Sequence, residues 1–120
     1  MRVHGYRTWC NKLWNAIRFA MMNFPEGFLP SPQLGAAEVA RLPMAGRWVM
    51  ARLNVAIAGT NEALEKYDFS AATTAIYAFW QYDLCDVFIE LMKPLMQSSD
   101  PAVVRGVWCV LCSHPYPIPE

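Results

Sequence analysis

The fold is decided by one long apolar stretch, Asp68-Phe-Ser-Ala-Ala-Thr-Thr-Ala-Ile-Tyr-Ala-Phe-Trp-Gln-Tyr-Asp-Leu-Cys-Asp-Val-Phe-Ile-Glu-Leu-Met-Lys-Pro94. Its apolar side chains recur every three or four residues, the period of an α-helix. The positions that this period sends to a core are Ala72, Ile76, Phe79, Trp80, Leu84, Val87, Phe88 and Leu91. Asp68 and Ser70 carry capping oxygens, and Pro94 is a residue that helices avoid. The stretch therefore predicts a helix over about 70–93.

Helical patterns also occupy most of the rest of the chain. They predict helices over 6–23 and 44–67, a short turn at Ala36–Arg41 and a further helix that opens at Asp100-Pro101. The connections at 67–70 and 96–101 are short, so neighbouring helices should run antiparallel. No alternating strand pattern occurs, and the predicted class is an all-α antiparallel helix bundle. We expect its core to contain Trp14, Ile17, Leu53, Ile57, Ile76, Trp80, Leu84 and Phe88.

Composition and charge exclude several classes of protein. The chain has 120 residues, of which 55% are hydrophobic and 17% charged, which is too apolar for a disordered tail. Its longest stretches without a charge, 69–82 and 106–119, are shorter than the roughly 20 apolar residues of a membrane-spanning helix. We therefore expect no membrane partner. Residues 1–60 carry seven basic and two acidic side chains, and residues 61–120 carry three and eight. The N-terminal half thus suits an anionic partner.

The candidate metal and catalytic residues form no strong motif. Four cysteines without a secretory signal indicate free thiols in a reducing compartment, and we expect the cytoplasm, with an organelle as the alternative. Cys109, Cys112 and His114 would supply three zinc ligands, but a fourth is missing, so we expect no metal. The acidic stripe of Asp83, Asp86 and Glu90 is interpreted as a solvated or Arg-paired helix face. We predict no catalytic residues and no cofactor in this chain.

A polar stripe runs along the first predicted helix. Arg7, Asn11, Asn15 and Arg18 share one helix face, and Lys12 borders it. Guanidinium groups bind phosphate in a bidentate manner, and amides pair with base edges. Aromatic residues on which unpaired bases could stack lie near in sequence, at Trp9, Trp14, Phe24 and Phe28. The pattern by itself is also that of an ordinary solvated helix face.

Several blocks together resemble the anticodon-binding helical domain of valyl-tRNA synthetases. They are Tyr6-Arg-Thr-Trp-Cys-Asn-Lys-Leu-Trp-Asn-Ala-Ile-Arg-Phe19, Gly27-Phe-Leu-Pro-Ser-Pro32, Arg47-Trp-Val-Met-Ala-Arg-Leu-Asn54, Tyr67-Asp-Phe-Ser-Ala-Ala-Thr-Thr-Ala-Ile-Tyr-Ala-Phe-Trp80, Tyr82-Asp-Leu-Cys-Asp-Val-Phe-Ile-Glu90 and Lys93-Pro94. The resemblance implies the helix bundle of class I aminoacyl-tRNA synthetases. It favours the interpretation that the polar stripe faces valine tRNA over that of a plain solvated face, and it implies no binding of DNA. The implied contact residues are Arg7, Asn11, Lys12, Asn15, Arg18 and Phe28.

The resemblance also implies what the chain would need from elsewhere. In this family, ATP-dependent attachment of valine to tRNA belongs to a catalytic domain with HIGH- and KMSKS-type signatures, and an inserted domain edits mischarged tRNA. Neither is present in these 120 residues, so we expect the chain alone to be inactive and to work with the remainder of a synthetase. The similarity covers about 5–105. It predicts an incomplete helical domain over 1–106, truncated at its C-terminal end, and a divergent, poorly packed, proline-rich tail over 107–120.

A second function, from another class, is that of a non-catalytic helical module that binds protein. An incomplete bundle leaves part of an apolar stripe uncovered, and such surfaces attract partners. The two functions differ in their dependence on salt. Binding to tRNA should weaken steeply with ionic strength, whereas an apolar protein interface should scarcely respond.

Overall fold

The structure, a computed structural model, describes residues 2–29 and 35–112, with side chains described for 5–29 and 35–111. Six α-helices and one π-helix make up its regular structure: α1 (Arg2–Asn23), α2 (Ala36–Arg41), α3 (Met44–Glu65), α4 (Phe69–Ala78), π1 (Phe79–Phe88), α5 (Ile89–Met96) and α6 (Pro101–Cys112). The predictions for residues 30–32, for the zinc ligands Cys112 and His114, and for the proline-rich end 113–120 concern side chains or segments outside these limits.

The predicted all-α class is confirmed. Within 2–29 and 35–112 every regular element is helical, and the expected turn at Ala36–Arg41 is the helix α2. None of these helices is both long and apolar enough to cross a bilayer. The long helix of the second half extends through Pro94 to Met96, three residues beyond its predicted end. Pro94 therefore removes one backbone hydrogen bond from α5 but does not end the helix at that position.

The junction between α3 and α4 turns the chain back within three residues. The Asp68 backbone N–H donates to the Ala63 carbonyl at 2.8 Å, and the Tyr67 N–H donates to Leu64 at 3.0 Å. This pair of bonds is the Schellman arrangement, which needs a left-handed residue, and Tyr67 supplies it with φ 56. Asp68 then caps α4, because its Oδ1 accepts from the Ala71 N–H at 2.9 Å. Two helices joined so closely pack antiparallel.

The π-helix π1 changes the register of the long second-half helix. Its backbone N–H groups bond to the carbonyl five residues earlier, as between Ile89 and Leu84, so its turns are wider than those of an α-helix. The face that meets the core therefore rotates away from the 3.6-residue pattern. The buried positions are Ala72, Phe79, Cys85, Phe88 and Met92. The expected burial of Ile76, Val87 and Leu91 is wrong, since 39–47% of each side chain is exposed.

The core lies between α3, π1, α5 and α6 and excludes most of α1. Its buried members are Leu42, Val49, Phe79, Phe88, Met92, Val107 and Val110. Of the eight predicted core residues, Phe88 is completely buried, and Leu53, Ile57, Trp80 and Leu84 are half-buried. The predictions for Trp14 and Ile17 are wrong, with 67% and 45% exposed, as is that for Ile76.

The reason is an apolar cleft of about 410 Å³ between α1 and the core. Ile17 and Met21 line it from α1, and Leu53, Trp80 and Leu84 line it from the other side. Because α1 does not close onto the core, residues on both walls of the cleft keep part of their surface exposed. Trp14 is not among the residues that line the cleft.

The expected poor packing of the C-terminal segment is wrong for residues 107–111. Asp100 caps α6 as the sequence predicts, since its Oδ1 accepts from the Ala102 N–H at 2.9 Å. The helix continues across the predicted boundary at residue 106 to Cys112, and Val107 and Val110 are buried in the core. Apolar residues three apart on a helix share one face, and that face of α6 packs against the core.

Candidate nucleic-acid interface

The outward face of α1 carries the four side chains of the predicted polar stripe. Arg7, Asn11, Asn15 and Arg18 are all exposed. The spacing of four, four and three residues stacks them along about three turns of one helix. Within the part of the chain that the structure describes, none of their side chains has a hydrogen-bond or ion-pair partner. Two cationic and two amide groups are therefore free to bind a ligand from solvent.

Lys12 lies to one side of this stripe and is used differently. Its Nζ donates to Asp86 Oδ1 on π1 at 2.5 Å, and this ion pair links α1 to the second-half helix. Lys12 is thus partly neutralised within the chain, whereas Arg7 and Arg18 are not. The structure places its ammonium group beside an acidic residue and away from the line of the stripe.

The acidic stripe that contains Asp86 is a paired face, as the sequence predicts. Arg52 Nε donates to Asp83 Oδ2 at 3.0 Å, and Lys93 donates to Glu90 at 2.6 Å. Each carboxylate therefore faces a cation from the protein itself. No group of three metal-ligating side chains that could hold an ion occurs among the residues described.

Phe28 lies in a turn that follows α1. The Phe28 N–H donates to the Pro25 carbonyl at 3.1 Å, and Gly27 adopts φ 77, a left-handed conformation that a glycine adopts without strain. The half-buried ring of Phe28 stacks on Phe24 at 5.5 Å and meets Trp108 edge-on at 5.6 Å. Phe28 thereby joins the turn to α6, and only part of its ring remains open to solvent.

Trp14 was predicted both as a core residue and as an aromatic ring on which a base could stack, and its exposure favours the second role. Its ring is exposed over 67% of its surface, and it lies three residues after Asn11 and four before Arg18. Residues at these spacings are neighbours on a helix surface. An exposed indole beside a guanidinium offers a base both a stacking plane and a cation. The spacing of Trp14 from Asn11 and Arg18 could be read from the sequence, but whether its ring is buried or exposed could not.

The cysteines of α1 and π1 differ in their surroundings. Cys10 is exposed on α1. Cys85 is buried in π1, and this burial raises the pKa of its thiol, while nearby Lys12 opposes the rise and Asp86 adds to it. A thiol in such surroundings packs as a small apolar group.

Comparison with known proteins identifies the family of the chain. Residues 46–117 match the family model of the anticodon-binding domain of tRNA ligase, a match that begins after α1. The chain is 48% identical to mitochondrial valine–tRNA ligase 1 of Arabidopsis thaliana, over 84% of its own length and 9% of that protein. It is 46% identical to valine–tRNA ligase of Homo sapiens, over 82% of its own length and 8% of that protein. It is 40% identical to valine–tRNA ligase of Ruegeria pomeroyi, over 95% of its own length and 12% of that protein.

The chain spans about a tenth of the length of these curated relatives. No solved structure was found to match it. The family model covers more than half of the chain and includes α3, α4, π1, α5 and α6, the elements that build the core. Because this match covers the helices of the core, the chain belongs to the anticodon-binding domain family of tRNA ligases.

Proposed function

We propose that this chain binds the anticodon stem-loop of valine tRNA through the outward face of α1, as part of a valine–tRNA ligase. The observation that carries this proposal is the pair of arginines, Arg7 and Arg18, on one helix face without an acidic partner in the described chain. Lys12, Arg52, Lys66 and Lys93 each form an ion pair. The other unpaired arginines among the described residues, Arg41, Arg47 and Arg105, lie singly on three different helices, so the stripe alone places two of them on one face. Cations left unpaired beside exposed amides and an indole suit an RNA backbone with unpaired bases.

The roles of the stripe residues follow from their chemistry. The guanidinium groups of Arg7 and Arg18 bind phosphates, which contributes affinity for any tRNA. Asn11 and Asn15 present amides to base edges, which contributes discrimination, and Trp14 offers a stacking surface. Lys12, held by Asp86, adds positive potential at the border of the stripe, and the open part of the Phe28 ring supplies a further apolar contact.

The charge of the stripe is tested with the double variant Arg7→Ala/Arg18→Ala in the 120-residue chain. Binding to a labelled anticodon stem-loop is measured by fluorescence anisotropy across salt concentrations. Because each phosphate contact releases counterions, the slope of log K against log salt should fall by about 1.4 to 1.8. The matched control is Arg41→Ala/Arg105→Ala, which removes two exposed arginines outside α1. Equal slopes for the parent and the α1 variant would contradict the proposal.

Discrimination is tested with Asn15→Ala. The variant should lose about 1–3 kcal/mol of preference for the valine anticodon over other anticodons if Asn15 makes a paired base contact, by analogy with groove readout. Asn54→Ala on α3, also exposed, is the control and should leave the preference unchanged. An undiminished preference in Asn15→Ala would remove this residue from the reading of the anticodon.

A second candidate function, contact with protein, is favoured by the apolar cleft between α1 and the core. The cleft is lined almost entirely by aliphatic and aromatic side chains, among them Ile17, Met21 and Leu53. In a valine–tRNA ligase the occupant would be another part of the same enzyme, whose catalytic domain would use ATP. This contact would persist at high salt, where RNA binding is lost. We also propose the cytoplasm as the location. An organelle is the alternative, because one relative is mitochondrial by name, and cell fractionation distinguishes the two.

A further inference from the structure

A second cavity lies between the start of α1 and the middle of α4, apart from the apolar cleft. Its volume is about 400 Å³, within the range of about 300–1,000 Å³ that is usual for small-ligand sites. The lining side chains are Tyr6, Trp9, Thr73, Thr74, Ile76 and Tyr77. None of them is charged, and three of the six are aromatic. The cavity therefore suits a flat, uncharged group with some hydrogen-bonding capacity.

The aromatic rings of this cavity are held in place before any ligand arrives. The centroids of Trp9 and Tyr77 are 4.6 Å apart with their planes at 43°, and Tyr77 meets Tyr82 edge-on at 6.3 Å. Tyr6 completes the wall and is 68% exposed, so most of its ring has no partner. Stacking of a base on aromatic rings tolerates any base, because every base has a π-face. The rings provide affinity and the remaining residues must provide selectivity.

The two threonines present acceptors to the cavity. Thr74 Oγ1 donates its hydrogen to the Ser70 carbonyl at 2.8 Å, and Thr73 Oγ1 donates to Phe69 and Ser70 at 2.9 and 3.0 Å. A hydroxyl group has one hydrogen and two lone pairs, and a carbonyl oxygen has no hydrogen to give. Both hydroxyl groups can therefore only accept from a ligand. They select a group that donates N–H.

The cavity lies on a different face of α1 from most of the polar stripe, and Arg7 is the stripe residue nearest to it along the chain. Arg7 directly follows Tyr6, about 100° around the helix, whereas Asn11 is about 200° from Trp9. A nucleotide whose base entered the cavity would keep its phosphate outside, on the side where Arg7 is exposed and unpaired. An uncharged aromatic cavity beside a cationic surface matches the division of a nucleotide into a flat base and an anionic phosphate.

We infer that the cavity formed by Tyr6, Trp9, Thr73, Thr74 and Tyr77 binds one unpaired RNA base that carries an exocyclic amino group. The base stacks on the aromatic rings while its amino group donates to the threonine oxygens. A base without that amino group loses this hydrogen bond, so the site favours cytosine over uracil, and adenine or guanine over hypoxanthine. This inference rests on the proposed binding of RNA by the stripe. It adds a site for a single base that the stripe residues do not form.

The stacking is tested with Tyr6→Leu in the 120-residue chain. Its probes are an intact anticodon stem-loop and a series of hairpins that each lack one loop base. Because Tyr6 is mostly exposed, the variant should fold as the parent does, which circular dichroism checks. We expect the Kd for the intact hairpin to rise about 5- to 150-fold, the range of base–aromatic stacking. For one abasic hairpin, the parent and the variant should bind equally.

The matched control is Phe69→Leu, which removes a ring of similar exposure, 65%, outside the cavity lining. It should leave all values of Kd unchanged. A uniform loss across intact and abasic hairpins with Tyr6→Leu would overturn the inference, because the ring would then not contact a base.

Selectivity is tested with Thr74→Val, which keeps the shape of the side chain and removes its acceptor. At the loop position found by the abasic series, the parent should prefer a base with an exocyclic amino group to the matched base without one, that is cytosine to uracil, or adenine or guanine to hypoxanthine. The variant should lose that preference. An unchanged preference would contradict the role of the threonine. Failure of the proposed function gives a different result, namely no salt-dependent binding of any hairpin. A normal salt slope, reduced by Arg7→Ala/Arg18→Ala, with no effect of Tyr6→Leu would overturn this inference alone.

Discussion

The outer face of α1 and the core around π1 use the same kinds of residues in opposite ways. In the core, Phe88, Met92 and Val107 are completely or almost completely buried and touch only the protein. On α1, Trp14 and Met21 are each 67% exposed beside arginines that have no partner within the described chain. Apolar area removed from water stabilises the fold, whereas apolar area left in water next to unpaired cations is available to a ligand. Packing identifies the part that folds, and its absence identifies the part that binds.

This comparison predicts its largest difference for two aromatic residues. Phe88→Ala should lower the free energy of unfolding by about 3–5 kcal/mol, because it leaves a cavity at a site with no exposed surface. Trp14→Ala should change it by less than about 0.5 kcal/mol, since its ring is mostly in water. Urea unfolding followed by circular dichroism measures both. A loss of several kcal/mol with Trp14→Ala would show that α1 packs more tightly in solution than the comparison holds.

The cysteines give a smaller difference between the same regions. Cys10 is exposed and Cys85 buried, so maleimide should modify Cys10 at least about tenfold faster, as read by mass spectrometry of the peptides. Burial also raises the pKa of the Cys85 thiol. Because the folded-state pKa lies above the unfolded value of about 8.5, the stabilisation that comes from keeping the Cys85 thiol neutral is complete below pH 8.5. The contribution is lost as the pH rises through the folded pKa. Equal rates at neutral pH would contradict the assigned burial.

The smallest effect is expected at the contact between the two regions. Lys12→Ala removes the ion pair with Asp86, whose side chains are 31% and 47% exposed. Exposed pairs contribute about 0.2–1 kcal/mol, and salt screens them. The unfolding temperature of the variant should therefore be slightly below that of the parent at low salt and should approach it at high salt. A difference that high salt leaves intact would mean that the stem of Lys12 packs α1 onto π1, independently of its charge.

The sequence by itself determined the helical class and most helix limits. Local features sufficed: Asp68 and Asp100 cap helices wherever the chain goes next, and an apolar period of 3.6 residues can be read without knowing the partner. The polar stripe from Arg7 to Arg18 was also predictable, since four side chains on one helix share a face through spacing alone. Their exposure agrees with that prediction, while their contacts with tRNA stay a prediction.

The tertiary structure alone decided which apolar residues are buried. The wider turns of π1 moved burial from Val87 and Leu91 to Cys85 and Met92, and no residue type in the sequence signals such a turn. The cleft left Ile17 exposed, because burial depends on whether a second helix closes, which periodicity does not report. Likewise, the cavity of Tyr6, Trp9 and Tyr77 joins residues some seventy positions apart. Local pattern fixes a helix and its faces, while only packing between distant segments decides what each face meets.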